Sequence, residues 1–164
     1  DDPRRPAFDA NRQAEIEAVK PVIERLKETG WTFGSHTWGH IRLDSRPLES
    51  VQRDTVRWAE EVGSLVGPTN ILFYPHGGRP DGDDWHSTGP VFQYLQSQGF
   101  RIFASVGINS FSYIKKDISA VICDRLHPDG TTLRNGKALE WYSQFYDARE
   151  IIDLDVRPDL GVTW

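Results

Sequence analysis

The sequence predicts an α/β domain with parallel strands, and two observations carry that reading. Short apolar runs of strand length alternate with longer segments whose apolar residues recur every three or four positions, and glycine or proline marks most junctions. Four of the five histidines also fall just after a predicted strand. That is the rim on which ligands bind in such folds.

The elements follow in order. Residues 1–9 are charged and proline-bearing and read as an arm or linker, with residues 10–164 as the body of one domain. Ile16, Val19, Ile23 and Leu26 predict a helix over 10–29, with Gly30 as its stop and Pro21 as a kink or restart. Residues 31–35 read as the first strand. Val51, Trp58, Val62 and Leu65 form the stripe of a second helix over 48–65, closed by Gly67-Pro68. A strand over 70–74 is halted by Pro75, and a polar, glycine-rich loop runs over 76–89. Pro90 opens a third helix through Gln98, with Val91, Phe92 and Leu95 inward. Strands follow over 101–106, 119–123 and 151–156; 106–118 is loop-rich, and 139–146 reads as a short helix.

Composition narrows the function classes. A chain of 164 residues, 38% hydrophobic and 26% charged, supports one folded domain with a real core. No apolar stretch approaches the ~18 residues of a membrane span. A net charge of −5 with interspersed signs argues against a nucleic-acid groove, which needs clustered Lys and Arg. The lone Cys123 has no internal disulfide partner and reads as a small buried hydrophobe. With no methionine in the chain, Asp1 is not expected to be the native start of translation.

The most chemistry lies in His36-Thr37-Trp38-Gly39-His40. A helical turn there sets both imidazoles on one side. One divalent ion can then sit about 2.0–2.1 Å from a nitrogen of each ring. Such an ion makes a hydroxide nucleophile available near neutral pH. With five histidines the spacing also arises by chance, and either residue also suits a structural role. Position favours a site: His36 and His40 follow the first predicted strand, His76 the second and His127 the fourth. Asp81, Asp83 and Asp84 form an acidic cluster that reads as a solvated loop in preference to a ligand set.

Ser35-His36-Thr37-Trp38-Gly39-His40 resembles the H-[ST]-x-x-H metal motif of polysaccharide deacetylases (carbohydrate esterase family four). Its flanks are similar too. Leu26-Lys27-Glu28-Thr29-Gly30-Trp31 precedes it, Phe73-Tyr74-Pro75-His76-Gly77 falls where that family carries R-x-P-[FY]-G, and Tyr94-Leu95 through Gly99-Phe100-Arg101 resembles the helix and strand that follow. The similarity spans roughly residues 12–130.

The resemblance implies a distorted (β/α) barrel, incomplete in this chain because its amino-terminal strands are missing. It implies metal-dependent hydrolysis of N-acetyl groups on a carbohydrate polymer such as peptidoglycan or a chitin-like chain, in an extracellular or cell-surface setting. The cofactor implied is a divalent metal, zinc foremost. His36 and His40 carry over as metal ligands. His127, in Leu126-His127, carries over as the catalytic acid, with His76 as an alternative proton donor. Backbone N–H groups between Tyr74 and Gly77 would hold the oxyanion. Trp38 and Trp85 offer aromatic faces to sugar rings, although Trp38 reads as packing under the loop in preference to that role. The family's third ligand and catalytic base are aspartates on an earlier strand. Asp1-Asp2, followed by Pro3, does not read as that pair, so the missing amino-terminal part of the same domain is an expected partner.

Two departures open a second reading. Phe73 stands where the family has arginine, and His76 where it has an aromatic residue. A carbohydrate-binding pseudoenzyme on the same fold is therefore the alternative to a hydrolase. A purely structural α/β domain with incidental histidines is the third reading, and the clustering of histidines on the rim weighs against it.

Overall fold

The computed structural model describes residues 5–82, 89–106, 113–115, 119–125, 140 and 143–144. The chain divides into two compact units, Asp1–Asp124 and Arg125–Trp164, and the candidate site lies in the first. The predicted strand at 151–156 and most of the predicted helix at 139–146 lie outside the described residues.

Helix α1 (Arg5–Glu28) begins earlier than its apolar repeat suggested and takes in residues 5–9 of the stretch read as an arm or linker. Pro21 lies inside it without ending it. The helix stops where glycine was expected to stop it. Gly30 takes a left-handed φ of 89°, its N–H donates to the Lys27 carbonyl, and the Trp31 N–H donates to the Leu26 carbonyl. Those bonds are the paired closure typical of a helix ending in glycine.

Residues 31–35 do not form the expected strand. The segment makes a single parallel bridge, Ser35 to Leu72. The Ser35 N–H donates to Ile71 O at 2.9 Å, and the Phe73 N–H donates to Ser35 O at 2.8 Å. One bridge is enough to fasten the following residues to the sheet edge.

Helix α2 (Leu48–Trp58) carries the predicted stripe, with Val51 and Trp58 buried. It widens into a π turn at Ala59–Gly63 and tightens again as α3 (Ser64–Val66), ending at Gly67 with φ 92°. Strand β1 (Ile71–Phe73) leads into a 3-10 turn at Pro75–Gly77. Helix α4 (Pro90–Ser97) buries Val91, Phe92 and Leu95 as its spacing predicted. Its first amides are capped from outside the helix: Asp81 accepts from the N–H groups of Val91 at 3.1 Å and Phe92 at 2.9 Å. Asp81 is thus a cap and not a solvated loop residue; Asp83 and Asp84 lie outside the described residues.

Strands β2 (Ile102–Val106), β3 (Tyr113–Lys115) and β4 (Ala120–Arg125) complete a four-stranded sheet in the order β1-β2-β4-β3. β1 and β2 are parallel, with Leu72 opposite Phe103, whereas β3 and β4 are antiparallel. The α/β class therefore holds, but the parallel expectation does not extend to β3, which falls in the stretch read as loop. Among the described residues the sheet does not close into a barrel.

β2 is the centre of the core, with Phe103, Ala104 and Ser105 all buried. A strand covered on both faces loses the polar alternation of a surface strand. The Phe92 ring lies 4.6 Å from that of Phe103, and Tyr74 packs at 6.3 Å. Leu43, Val51, Leu72, Leu95 and Ile122 fill the same cluster. Each such side chain contributes about 1.5–3 kcal/mol on leaving water. This core fixes the carboxyl ends of β1 and β2, where the histidines stand.

Candidate functional site

The histidine loop hangs from the Ser35 bridge. Residues 36–40 form no helical turn; instead Thr37 (φ 61°) and His40 (φ 51°) enter the left-handed region. The imidazoles meet all the same, with ring centroids 4.8 Å apart at an interplanar angle of 73°. The convergence anticipated from i,i+4 spacing is thus reached by a different backbone route. Non-glycine residues in this region persist only where surrounding contacts hold them.

Those contacts are side-chain oxygens on the loop's amides. Ser35 Oγ accepts from Thr37 N–H at 3.2 Å, and Thr37 Oγ1 accepts from Ile41 N–H at 3.1 Å. Asp54, on α2, accepts from Trp38 N–H through Oδ1 at 2.9 Å and from Gly39 N–H through Oδ2 at 2.7 Å. A methyl at Gly39 would sit 3.0 Å from Asp54 Oδ2, so the bare glycine permits this approach.

His36 is half-buried, and its Nδ1 lies 2.9 Å from the Phe73 carbonyl oxygen. A carbonyl only accepts, so Nδ1 carries the proton and Nε2 is the ring's acceptor nitrogen. A ring nitrogen donating to a backbone carbonyl is the arrangement that fixes the tautomer and orientation of a metal-binding histidine. His40 is exposed and contacts a second ring, that of His76, whose centroid lies 4.4 Å away at 70°. His76 follows Pro75 in the turn after β1, at φ 55°. Three of the four rim histidines are therefore brought together. His127, the fourth, and Trp85 lie outside the described residues.

The chemistry of His36 and His40 fits two positions of a divalent-metal site. Among the described residues no group of three His, Cys, Asp or Glu has the arrangement to hold an ion, and His76 lies beside His40.

Several expected substrate contacts fall elsewhere. Tyr74 is 2% exposed, and its N–H donates to Ala104 O at 2.8 Å. Its ring belongs to the core and its amide to the sheet, so its N–H is not turned to an oxyanion. Trp38 is 40% exposed but pinned: its Nε1 donates to Glu61 at 2.8 Å, and the Arg57 guanidinium lies 3.5 Å from its ring centroid. It serves the loop's anchorage on α2. Phe73 uses its backbone at the site, and its ring covers Gly34. Gly77 lines a polar cleft of about 680 Å³ together with Arg42, Asp44, Ser45, Arg79 and Ser105. Arg42 pairs with Asp44 and holds its carboxyl below the usual range, mainly through their hydrogen bond. Arg79 stands 4.0 Å from Asp124.

Sequence reasoning did not single out Asp54, Arg57 or Glu61. A charged residue on an amphipathic helix reads as solvated, and nothing local distinguishes Asp54 from its neighbours. Glycine between the two histidines was the only local hint of a close approach.

This histidine loop, on an α/β scaffold at the carboxyl end of β1, agrees with comparison against known families. Residues 7–100 match the family model described as polysaccharide deacetylase. The chain belongs to the polysaccharide deacetylase family. No curated protein and no solved structure matches it.

Proposed function

We propose that this chain carries part of the active site of a metal-dependent carbohydrate deacetylase, with His36 and His40 as ligands of a divalent ion, zinc being the best match to imidazole donors. The observation that carries the reading is the His36 Nδ1 bond to Phe73 O beside an imidazole 4.8 Å away. The bound ion would supply Lewis acidity and a nucleophilic water near neutral pH. The third ligand and the base come from residues outside those described.

The chain's own residues have separable roles in this proposal. The cleft beside Gly77 receives the sugar, its arginine, aspartate and serine groups offering both donors and acceptors. In the hydrolysis, the acetyl C–N bond breaks, a C–O bond to water oxygen forms, and the nitrogen gains a proton. His76 and His127 are the candidate donors of that proton. Trp85 is a candidate face for a sugar ring.

A second reading, a glycan-binding protein with impaired chemistry, has one observation in its favour: Phe73 replaces the arginine of the family segment and spends its ring on Gly34. One experiment separates the two. The purified chain is titrated with zinc and assayed for acetate release from N-acetylglucosamine oligomers, beside His36→Ala/His40→Ala. Zinc binding that is lost in the double variant, with acetate release, supports the hydrolase. Binding without release supports the second reading, and zinc binding indifferent to both histidines removes the metal site.

A further inference from the structure

We infer that Asp54 is the positioning residue of the histidine pair, acting through the backbone between the two imidazoles; the inference rests on the metal-site reading above. Asp54 touches neither ring. Its two carboxylate oxygens take the consecutive N–H groups of Trp38 and Gly39, at 2.9 and 2.7 Å. Ionised acceptors bind backbone amides roughly twice as strongly as neutral ones. Two adjacent amides turned toward one carboxylate bend the chain around it, and the residues on either side of this bend are Thr37 and His40, both left-handed. The bend is what lets rings four positions apart meet without a helix.

The anchor itself is rigid. Asp54 stands between Val51 and Trp58, the two buried residues of α2. The same helical face holds the Trp38 side chain through Arg57 and Glu61, and Arg57 donates to Glu61 at 2.8 Å. Loop backbone and loop side chain are therefore fastened to one helix, which places the two imidazoles relative to the core. Charge alone does not account for the arrangement, because an asparagine of the same shape would turn its NH₂ donor toward one of the two N–H groups.

The test uses the full chain and zinc. Asp54→Asn is expected to bind zinc about 10–100-fold more weakly, the range seen when outer partners of metal ligands are removed. The amide resonances of Trp38 and Gly39 should move at the same time. Arg53→Ala, on the same helix with its side chain donating to Ser50, should change neither. Wild-type affinity in Asp54→Asn overturns the inference. If Asp54→Asn does not fold, Asp54→Glu keeps both acceptors and displaces them by one methylene; it should weaken zinc binding, and unchanged affinity there overturns the inference equally. If the wild-type chain binds no zinc, the metal-site reading fails. The Trp38 and Gly39 amides then decide for Asp54 alone, and resonances unmoved by Asp54→Asn overturn it.

Discussion

At Gly34 the chain has room for a hydrogen and for nothing larger. A Cβ there would lie 2.5 Å from Phe73 Cε2 and 3.1 Å from Ile71 Cγ2. The clash is with the Phe73 ring, and the backbone of Phe73 is bonded to Ser35 through its N–H and to His36 Nδ1 through its carbonyl, so a shift of the whole residue reaches the histidine. Gly34→Ala should therefore cost about 1–3 kcal/mol, the range for forced overpacking, measured by urea unfolding. The displaced Phe73 carbonyl should also disturb the His36 tautomer, visible in the imidazole nitrogen shifts. At this scale the histidine pair was legible because two metal-binding side chains so close in sequence leave a local mark. Asp54 was not, because its partners lie across a turn and a loop. The Tyr74 amide, expected to face an oxyanion, donates to Ala104 O instead, because its pairing depends on which strand lies alongside.

Among the elements, α4 shows how far a local pattern reaches. Its inward face, Val91, Phe92 and Leu95, follows from spacing, and Pro90 suits a first helical turn. Its cap does not follow, because the carboxylate comes from Asp81, beyond the adjoining residues. Asp81→Ala should destabilise the chain by about 0.5–2 kcal/mol, and Asp81→Asn by less, in the same unfolding measurement. Residues 31–35 show the opposite limit. Their composition suits a strand, but a strand is defined by partners, and a single bridge forms with β1. β3 was missed because its three residues carry too short a repeat to stand out from loop.

Across the molecule, Glu61 ties together segments distant in sequence. It accepts from Arg57 on its own helix, from Trp38 in the histidine loop and from Arg12 on α1. The Arg57 bond, then the Trp38 bond, holds its carboxyl below the ordinary 4.5. A depressed carboxylate adds stability that is complete above its unfolded value and is lost as the pH falls through its folded value. Anchorage of Trp38 should accordingly be intact at neutral pH and weaken progressively once the pH drops below 4.5. Tryptophan fluorescence against pH should show this step, and Glu61→Gln should lack it. Glu61 is half-buried but its partner Arg57 is exposed to solvent, so added salt should shrink the step.

Helix faces, helix stops and the pairing of His36 with His40 are written in the sequence, because each depends on residues within a few positions of one another. The α/β class is written there too, through the alternation of short apolar runs with amphipathic stretches. Tertiary structure alone decided that a loop, not a helical turn, joins the histidines, that His76 comes to lie against them, and that Asp54 holds the bend. Each of these needs groups far apart along the chain to meet. A carboxylate's worth to two amides exists only once α2 has packed on the core and presented it.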